Sequence, residues 1–137
     1  MRILLVDDNP DFLTAVSGLL SAQKYLKVVG HVTTGRQAIE RARELKPDVV
    51  LMGMTRPLTN CFEVTRNIKQ WNEAVRVIIL SLYDDQECRK RAEAAGADGF
   101  VVKSQFAEQI LPLLQESNPR RKRFSRVFRK ITALRKG

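Results

Sequence analysis

The sequence has no apolar run near the roughly 18 residues that a membrane-spanning helix needs. The apolar start, MRILLV, meets acid at Asp7 and is too short for a secretion signal. Cysteine is also scarce: Cys61 and Cys88 match no metal or redox spacing, so we expect two free thiols in a reducing compartment. Together these absences predict a cytoplasmic protein without a transmembrane segment.

Acidic residues are missing from one region only, the end of the chain. The formal net charge is +9, yet residues 1–119 hold 15 basic and 15 acidic residues, and residues 120–137 hold 9 basic residues and no acid. Any inference from charge to a binding partner therefore concerns this last segment, and the rest of the chain is neutral.

Residues 118–137 are predicted to form a basic amphipathic C-terminal tail. Helical spacing puts the apolar residues on one face: Phe124, Val127, Phe128, Ile131 and Leu134. The tail could pack on the domain or on a second copy, lie on an anionic membrane surface, or bind nucleic acid or an acidic protein. It is too short for a helix-turn-helix. The basic residues predicted to make tail contacts are Arg120, Arg121, Lys122, Arg123, Arg126, Arg129 and Lys130.

Upstream of the tail, short Val/Ile/Leu runs alternate with helical patterns. The predicted strands are Arg2–Val6, Lys27–Val32, Asp48–Met52, Val75–Leu80 and Gly99–Val102. Five helices are predicted between and after these strands. The first starts at Pro10 after an Asn9 N-cap, and the second starts at Gly35 and ends at Pro47. The third spans Cys61–Trp71 with Trp71 facing inward, the fourth spans Asp84–Ala95, and the fifth runs from a Ser104 cap to about Glu116 with a kink at Pro112.

This alternation predicts an α/β fold, a doubly wound domain over residues 1–117 around a five-stranded parallel sheet. In such sheets the ligand site lies at the carboxyl ends of the strands. The residues predicted at that edge are Asp7, Asp8, Gly53, Thr55, Ser81 and Lys103.

Each of these side chains has an ordinary interpretation and a chemical one. Asp7 and Asp8 could cap a helix or bind a hard cation such as Mg²⁺, because adjacent carboxylates repel unless a cation separates them. Ser81 could end a strand or bond a phosphate oxygen, and Lys103 could be a surface lysine or neutralise an oxyanion. Their convergence on one edge favours the chemical interpretation.

The stretches VDDNP, DVVLM, IILS and GADGFVVKS, in this order and spacing, resemble the receiver domain of bacterial response regulators. The resemblance covers residues 1 to about 117. It implies the flavodoxin-like, CheY-like (βα)5 fold with strand order 2-1-3-4-5. The stretches LSLYDD and GADGF are most similar to those of receivers that precede a helix-turn-helix DNA-binding domain.

The resemblance also implies a role for each residue at the edge. Asp7 and Asp8 match the acidic pair, with Asp8 the more direct Mg²⁺ ligand, and the backbone carbonyl of Thr55 would face the same metal. Ser81 matches the switch hydroxyl. Phe100 matches the aromatic rotamer switch, and Lys103 matches the lysine that pairs with phosphoryl oxygens.

Gly53 stands where the family has its phosphoacceptor aspartate. Glycine has no oxygen to attack phosphorus, so an acyl phosphate cannot form there. Mg²⁺ binding is expected to be weak or absent, and no steric need for glycine is expected, because a strand end tolerates many side chains. Two further departures are Leu82, where the family has a small residue, and the turn Asn60–Cys61.

The sequence therefore predicts a stand-alone atypical receiver that is no enzyme and acts through protein–protein contact, with no required cofactor. The expected partner surface is helix four, strand five and helix five, with a homodimer as an alternative. Lys103 is expected to pair with Asp7 or Asp8. The alternatives are phosphorylation of Asp8, Thr55 or Ser81, an aspartate-to-glycine change in an otherwise working receiver, and binding carried by the tail alone.

Overall fold

A computed structural model describes residues 1–53 and 58–115 of the chain. Its elements, in chain order, are β1 (Arg2–Val6), α1 (Pro10–Ser21), β2 (Lys27–Val32), α2 (Gly35–Leu45), β3 (Val49–Gly53), α3 (Leu58–Trp71), β4 (Arg76–Ser81), α4 (Gln86–Ala94), β5 (Gly99–Val102), a 3-10 turn (Lys103–Gln105) and α5 (Phe106–Gln115). Thr55 and the tail, residues 118–137, lie outside the described residues.

The five strands form one parallel sheet in the order β2-β1-β3-β4-β5, which confirms the predicted doubly wound fold. Helices α1 and α5 pack on one face of the sheet and α2, α3 and α4 on the other. Every residue of β3, β4 and β5 is buried, as expected for a sheet covered on both sides.

Local signals fix the helix ends that lead into the site. The Asn9 side chain accepts hydrogen bonds from the N–H groups of Asp11 and Phe12, and Pro10 occupies the first helical position, as predicted. The Asp85 side chain caps α4 through the N–H of Glu87. These caps satisfy donors that a helix start would otherwise leave unpaired.

The structure corrects the sequence-based picture at two helices. Trp71, predicted to face inward, is 41% exposed at the end of α3 and lies 6.0 Å from the Arg43 guanidinium. Ser104 lies in the 3-10 turn instead of capping a helix, and α5 begins at Phe106 and continues past Pro112 to Gln115. Val64 and Ile68 of α3 are buried as the periodicity predicts, and only Trp71, the last residue of the helix, departs from it.

A buried ion pair joins α3 to the amino-terminal end of the sheet. Lys69 Nζ in α3 donates to Asp98 Oδ2 at 2.8 Å and to the carbonyls of Glu73 and Val75 at 2.8 Å each. The N–H of Val77 donates to the same carboxylate oxygen. These bonds compensate the desolvation of both charges, so the pair links α3 to β4 and β5.

Candidate functional site

The parallel sheet brings the predicted residues to one edge. Asp7 and Asp8 follow β1, Gly53 ends β3, Ser81 ends β4, and Lys103 follows β5. Because carboxyl ends of parallel strands share an edge, residues far apart in sequence become neighbours there.

The centre of this edge is an ion pair between Asp7 and Lys103. Lys103 Nζ lies 2.5 Å from Asp7 Oδ2, with the two side chains only 12% and 2% exposed. The pair predicted for Lys103 is thus present, with Asp7 as its partner. Asp8, the alternative partner, is exposed.

Both ends of this ion pair are held by further contacts. The N–H of Asn9 donates to Asp7 Oδ1 at 2.9 Å, so each carboxylate oxygen of Asp7 accepts a bond. The Lys103 ammonium lies 4.2 Å from the centre of the Phe12 ring, within the range of a cation–π contact. An ion pair supported by these further contacts can persist at a partly buried site.

Gly53 lies directly against the Asp7 carboxylate. A Cβ atom built on residue 53 would overlap Asp7 Oδ2, and it would lie 2.7 Å from Asp7 Cγ and 2.9 Å from the backbone oxygen of Val6. Real Cβ atoms essentially never approach heavy atoms below 3.0 Å. The expectation that this strand end tolerates many side chains, with no steric need for glycine, is therefore wrong, because Asp7 fills the space that a side chain on residue 53 would need.

Ser81 makes a local turn instead of pointing to a free pocket. Its side chain is buried, and its hydroxyl donates to the Tyr83 carbonyl at 2.8 Å and accepts from the Tyr83 N–H at 3.2 Å. These bonds leave Leu82 and Tyr83 on the surface. A phosphoryl oxygen that bonded Ser81 would have to compete with this turn.

Phe100 points into the protein and is 2% exposed. The guanidinium of Arg89, in α4, lies 5.3 Å from the centre of its ring and pairs with Asp84. Arg89 was missed in the sequence analysis because it sits among polar residues, in QECRKRAEA, where no pattern predicts burial. Phe12 of α1 was also missed, because nothing in the sequence predicted its contact with Lys103.

The residues at this edge do not form a site for the Mg²⁺ that the resemblance to receivers implies. Residue 53 offers no side-chain oxygen, and the Asp7 oxygens already accept from an ammonium and a backbone N–H. Among residues 1–53 and 58–115, no group of three or more His, Cys, Asp or Glu side chains is placed to hold a metal ion. The divalent ion would have to displace Lys103 and would find at most two carboxylates.

Comparison with known proteins gives the same fold and a family. Residues 3–115 match the family model described as the response regulator receiver domain. The nitrate/nitrite response regulator protein NarL of Escherichia coli K12 is 32% identical over 115 residues, covering 84% of this chain and 53% of NarL. The chain thus spans about half the length of that relative.

Solved structures agree with this match. A LuxR-family two-component response regulator from Aurantimonas superposes with a TM-score of 0.77 at 32% identity, covering 83% of this chain and 81% of that one. The response regulator domain of Thermotoga maritima CheB has a TM-score of 0.77 at 29% identity, covering 85% and 95%.

Proposed function

Because this chain belongs to the response regulator receiver family, we propose that it is an atypical receiver that works without a phosphoryl group on residue 53. Its conformation is set by the Asp7–Lys103 ion pair, and its output is contact with a protein partner. The observation that supports this most strongly is the Asp7 carboxylate, which occupies the space beside Gly53 and binds the lysine that would otherwise serve a phosphoryl group.

The chemistry of the edge supports a receiver that does not accept phosphate. Formation of an acyl phosphate needs a carboxylate oxygen to attack phosphorus while a leaving group departs from the opposite side. Residue 53 has no such oxygen, and Asp7 has both oxygens engaged. The ammonium of Lys103 already neutralises the Asp7 carboxylate, so neither group of this pair is available to a phosphoryl group.

The proposed output surface is the face formed by α4, β5 and α5. Phe100 of β5 is buried under the Arg89 guanidinium of α4, which ties these two elements together in one arrangement. We place the protein in signal transduction or transcription regulation and in the cytoplasm; the relatives that support this are named as response regulators. No helix among the described residues has the length and apolar character to span a membrane. No enzymatic step is assigned to the chain.

The test is intact-mass measurement after incubation with a small phosphodonor such as acetyl phosphate and Mg²⁺. The unmodified chain is expected to gain no phosphoryl group. Gly53→Asp supplies the missing nucleophile, and Gly53→Asn is the matched control with the same size and no nucleophile. We expect labelling of Gly53→Asp alone, at a rate limited by displacement of Asp7.

One phosphoryl group on the unmodified chain would contradict the proposal. Peptide mapping would then identify the acceptor and separate Asp8 from Ser81 and Thr55, the three alternatives that the sequence leaves open.

A further inference from the structure

An open hollow lies between α3 and α4 at the surface of the protein, and we call it the α3–α4 hollow. It is lined by Phe62, Glu63 and Arg66 of α3 and by Arg91 and Ala94 of α4, and its volume is about 180 Å³. This volume corresponds to about six water molecules at roughly 30 Å³ each, so a ligand that fills it has only a few heavy atoms. None of the lining residues takes part in the site at the carboxyl edge of the sheet.

The lining of the α3–α4 hollow carries more positive than negative charge. Arg66 and Arg91 are both exposed, and within the ranges that the structure describes neither of them forms an ion pair. The Glu63 carboxylate lines the same hollow and is not paired with either guanidinium. It supplies one negative charge against two positive ones, so an anion that enters between the two arginines lowers their mutual repulsion.

The guanidinium of Arg91 is already held in position. It lies 4.7 Å from the centre of the Phe62 ring, within the range of a cation–π contact, and Phe62 is buried. Arg66 lies four residues after Phe62, on the same face of α3. Ala94 has only a methyl group, which leaves the space between the helices open. A guanidinium that is ordered beforehand loses less conformational entropy when it binds a ligand.

The chemistry of the lining favours a phosphate group. A guanidinium is a planar fork of N–H donors that matches the oxygens of phosphate or carboxylate. A carboxylate has two oxygens and one charge, which is enough for one fork. A phosphate group carries up to two negative charges and three acceptor oxygens at neutral pH, so it can bond both guanidinium groups at once.

We propose that Arg66 and Arg91 bind the phosphate group of a small molecule, without covalent reaction, in the α3–α4 hollow. The bound anion links α3 to α4, and α4 belongs to the proposed output surface. Binding thereby gives the protein an input that residue 53 cannot supply. This consequence for the output surface rests on the proposed function, whereas the binding itself does not.

NMR spectroscopy of the ¹⁵N-labelled full chain, titrated with inorganic phosphate at constant ionic strength, tests the binding. The Nε–H signals of Arg66 and Arg91 are followed individually, so phosphate bound by the basic residues of the tail does not obscure the result. We expect both signals to shift and to saturate. The protein mass stays unchanged, so this result is independent of the test for phosphorylation.

Four variants separate a site from general attraction to positive charge. Arg91→Met, read at Arg66, should lower the affinity tenfold or more, since it removes charge-assisted hydrogen bonds. Ala94→Leu should lower it similarly, because it fills the hollow without changing the charge. Glu63→Gln should raise the affinity, because it removes a competing carboxylate. Arg36→Met is the matched control, since it removes an exposed arginine of α2 outside the hollow and should leave the affinity unchanged.

Saturating shifts that weaken in Arg91→Met and Ala94→Leu, and persist in Arg36→Met, support the proposal. It is overturned by shifts that do not saturate, by an Ala94→Leu variant that binds as tightly as the unmodified chain, or by acetate that binds as tightly as phosphate. A short phosphoserine peptide that binds tenfold or more tightly than phosphate also overturns it, and would assign the hollow to a partner protein.

Discussion

Replacing Gly53 with alanine adds one methyl group at the most crowded point of the site. The new Cβ would overlap Asp7 Oδ2 and would lie 2.7 Å from Asp7 Cγ and 2.9 Å from the Val6 backbone oxygen. The carboxylate cannot move away freely, because Lys103 and the N–H of Asn9 hold its two oxygens. The substitution must therefore weaken one of these bonds or shift β1 against β3.

The sign of the effect distinguishes this account from an ordinary strand end. A glycine-to-alanine change without strain stabilises a protein by about 0.4–1 kcal/mol, because it lowers the entropy of the unfolded chain. Adding a methyl group to a filled site instead costs about 1–3 kcal/mol. After the entropic gain is subtracted, we expect a net loss of about 1–2 kcal/mol in the free energy of unfolding.

Urea denaturation of Gly53→Ala measures this loss, and Gly18→Ala is the matched control. A Cβ at Gly18, on the exposed side of α1, meets nothing within 4 Å, so that variant should gain about 0.5–1 kcal/mol. In an Asp7→Ala background most of the Gly53→Ala loss should disappear, because the overlapping oxygens are gone. A Gly53→Ala variant as stable as the unmodified chain would refute the reasoning.

Four further predictions concern ionisable groups. Lys103→Met leaves the buried Asp7 carboxylate without its cation and should lower the free energy of unfolding by about 3 kcal/mol. Adding Asp7→Asn to Lys103→Met should recover most of this loss, and an equal loss in the single and the double variant would argue against the pair. Lys69→Met should cost about 3–5 kcal/mol by thermal or urea unfolding, since its ammonium donates to a buried carboxylate and two carbonyls, and a loss below 1 kcal/mol would contradict this. Burial raises the pKa of the Cys61 thiol from 9.0 to about 12, so the stability it contributes is present below pH 9 and is lost as the pH rises towards 12; Cys61→Ala should lack this decline. Iodoacetamide should modify Cys88 well before Cys61, and the reverse order would contradict the burial.

The sequence predicted the sheet well because its signals are local and consistent. The strands are unbroken apolar runs, and Asn9, Pro10 and Gly35 mark helix starts that the structure contains. The prediction for Trp71 was wrong because helical periodicity identifies residues that share a face, but not whether other residues cover the last one of them.

At the site, the sequence named the residues but could not give their mutual positions. The opposite charges of Asp7 and Lys103 made a pair predictable. The two residues are 96 positions apart in sequence, but each follows a strand of the same parallel sheet, so they meet at one edge. The overlap at Gly53 was not predictable, because it depends on the side-chain direction of Asp7 and not on any residue beside Gly53 in the sequence. The burial of Arg89 over Phe100 depends likewise on how α4 packs on β5.

The central claim is that the Asp7 carboxylate fills the space beside Gly53 and holds Lys103 in place of a metal ion. A crystal structure of the full chain grown in millimolar Mg²⁺ tests it most directly. The account predicts a direct Lys103 Nζ–Asp7 Oδ2 contact with the carboxylate against the Cα of Gly53. A metal ion bound by Asp7 and Asp8, with Lys103 turned towards solvent, would contradict it.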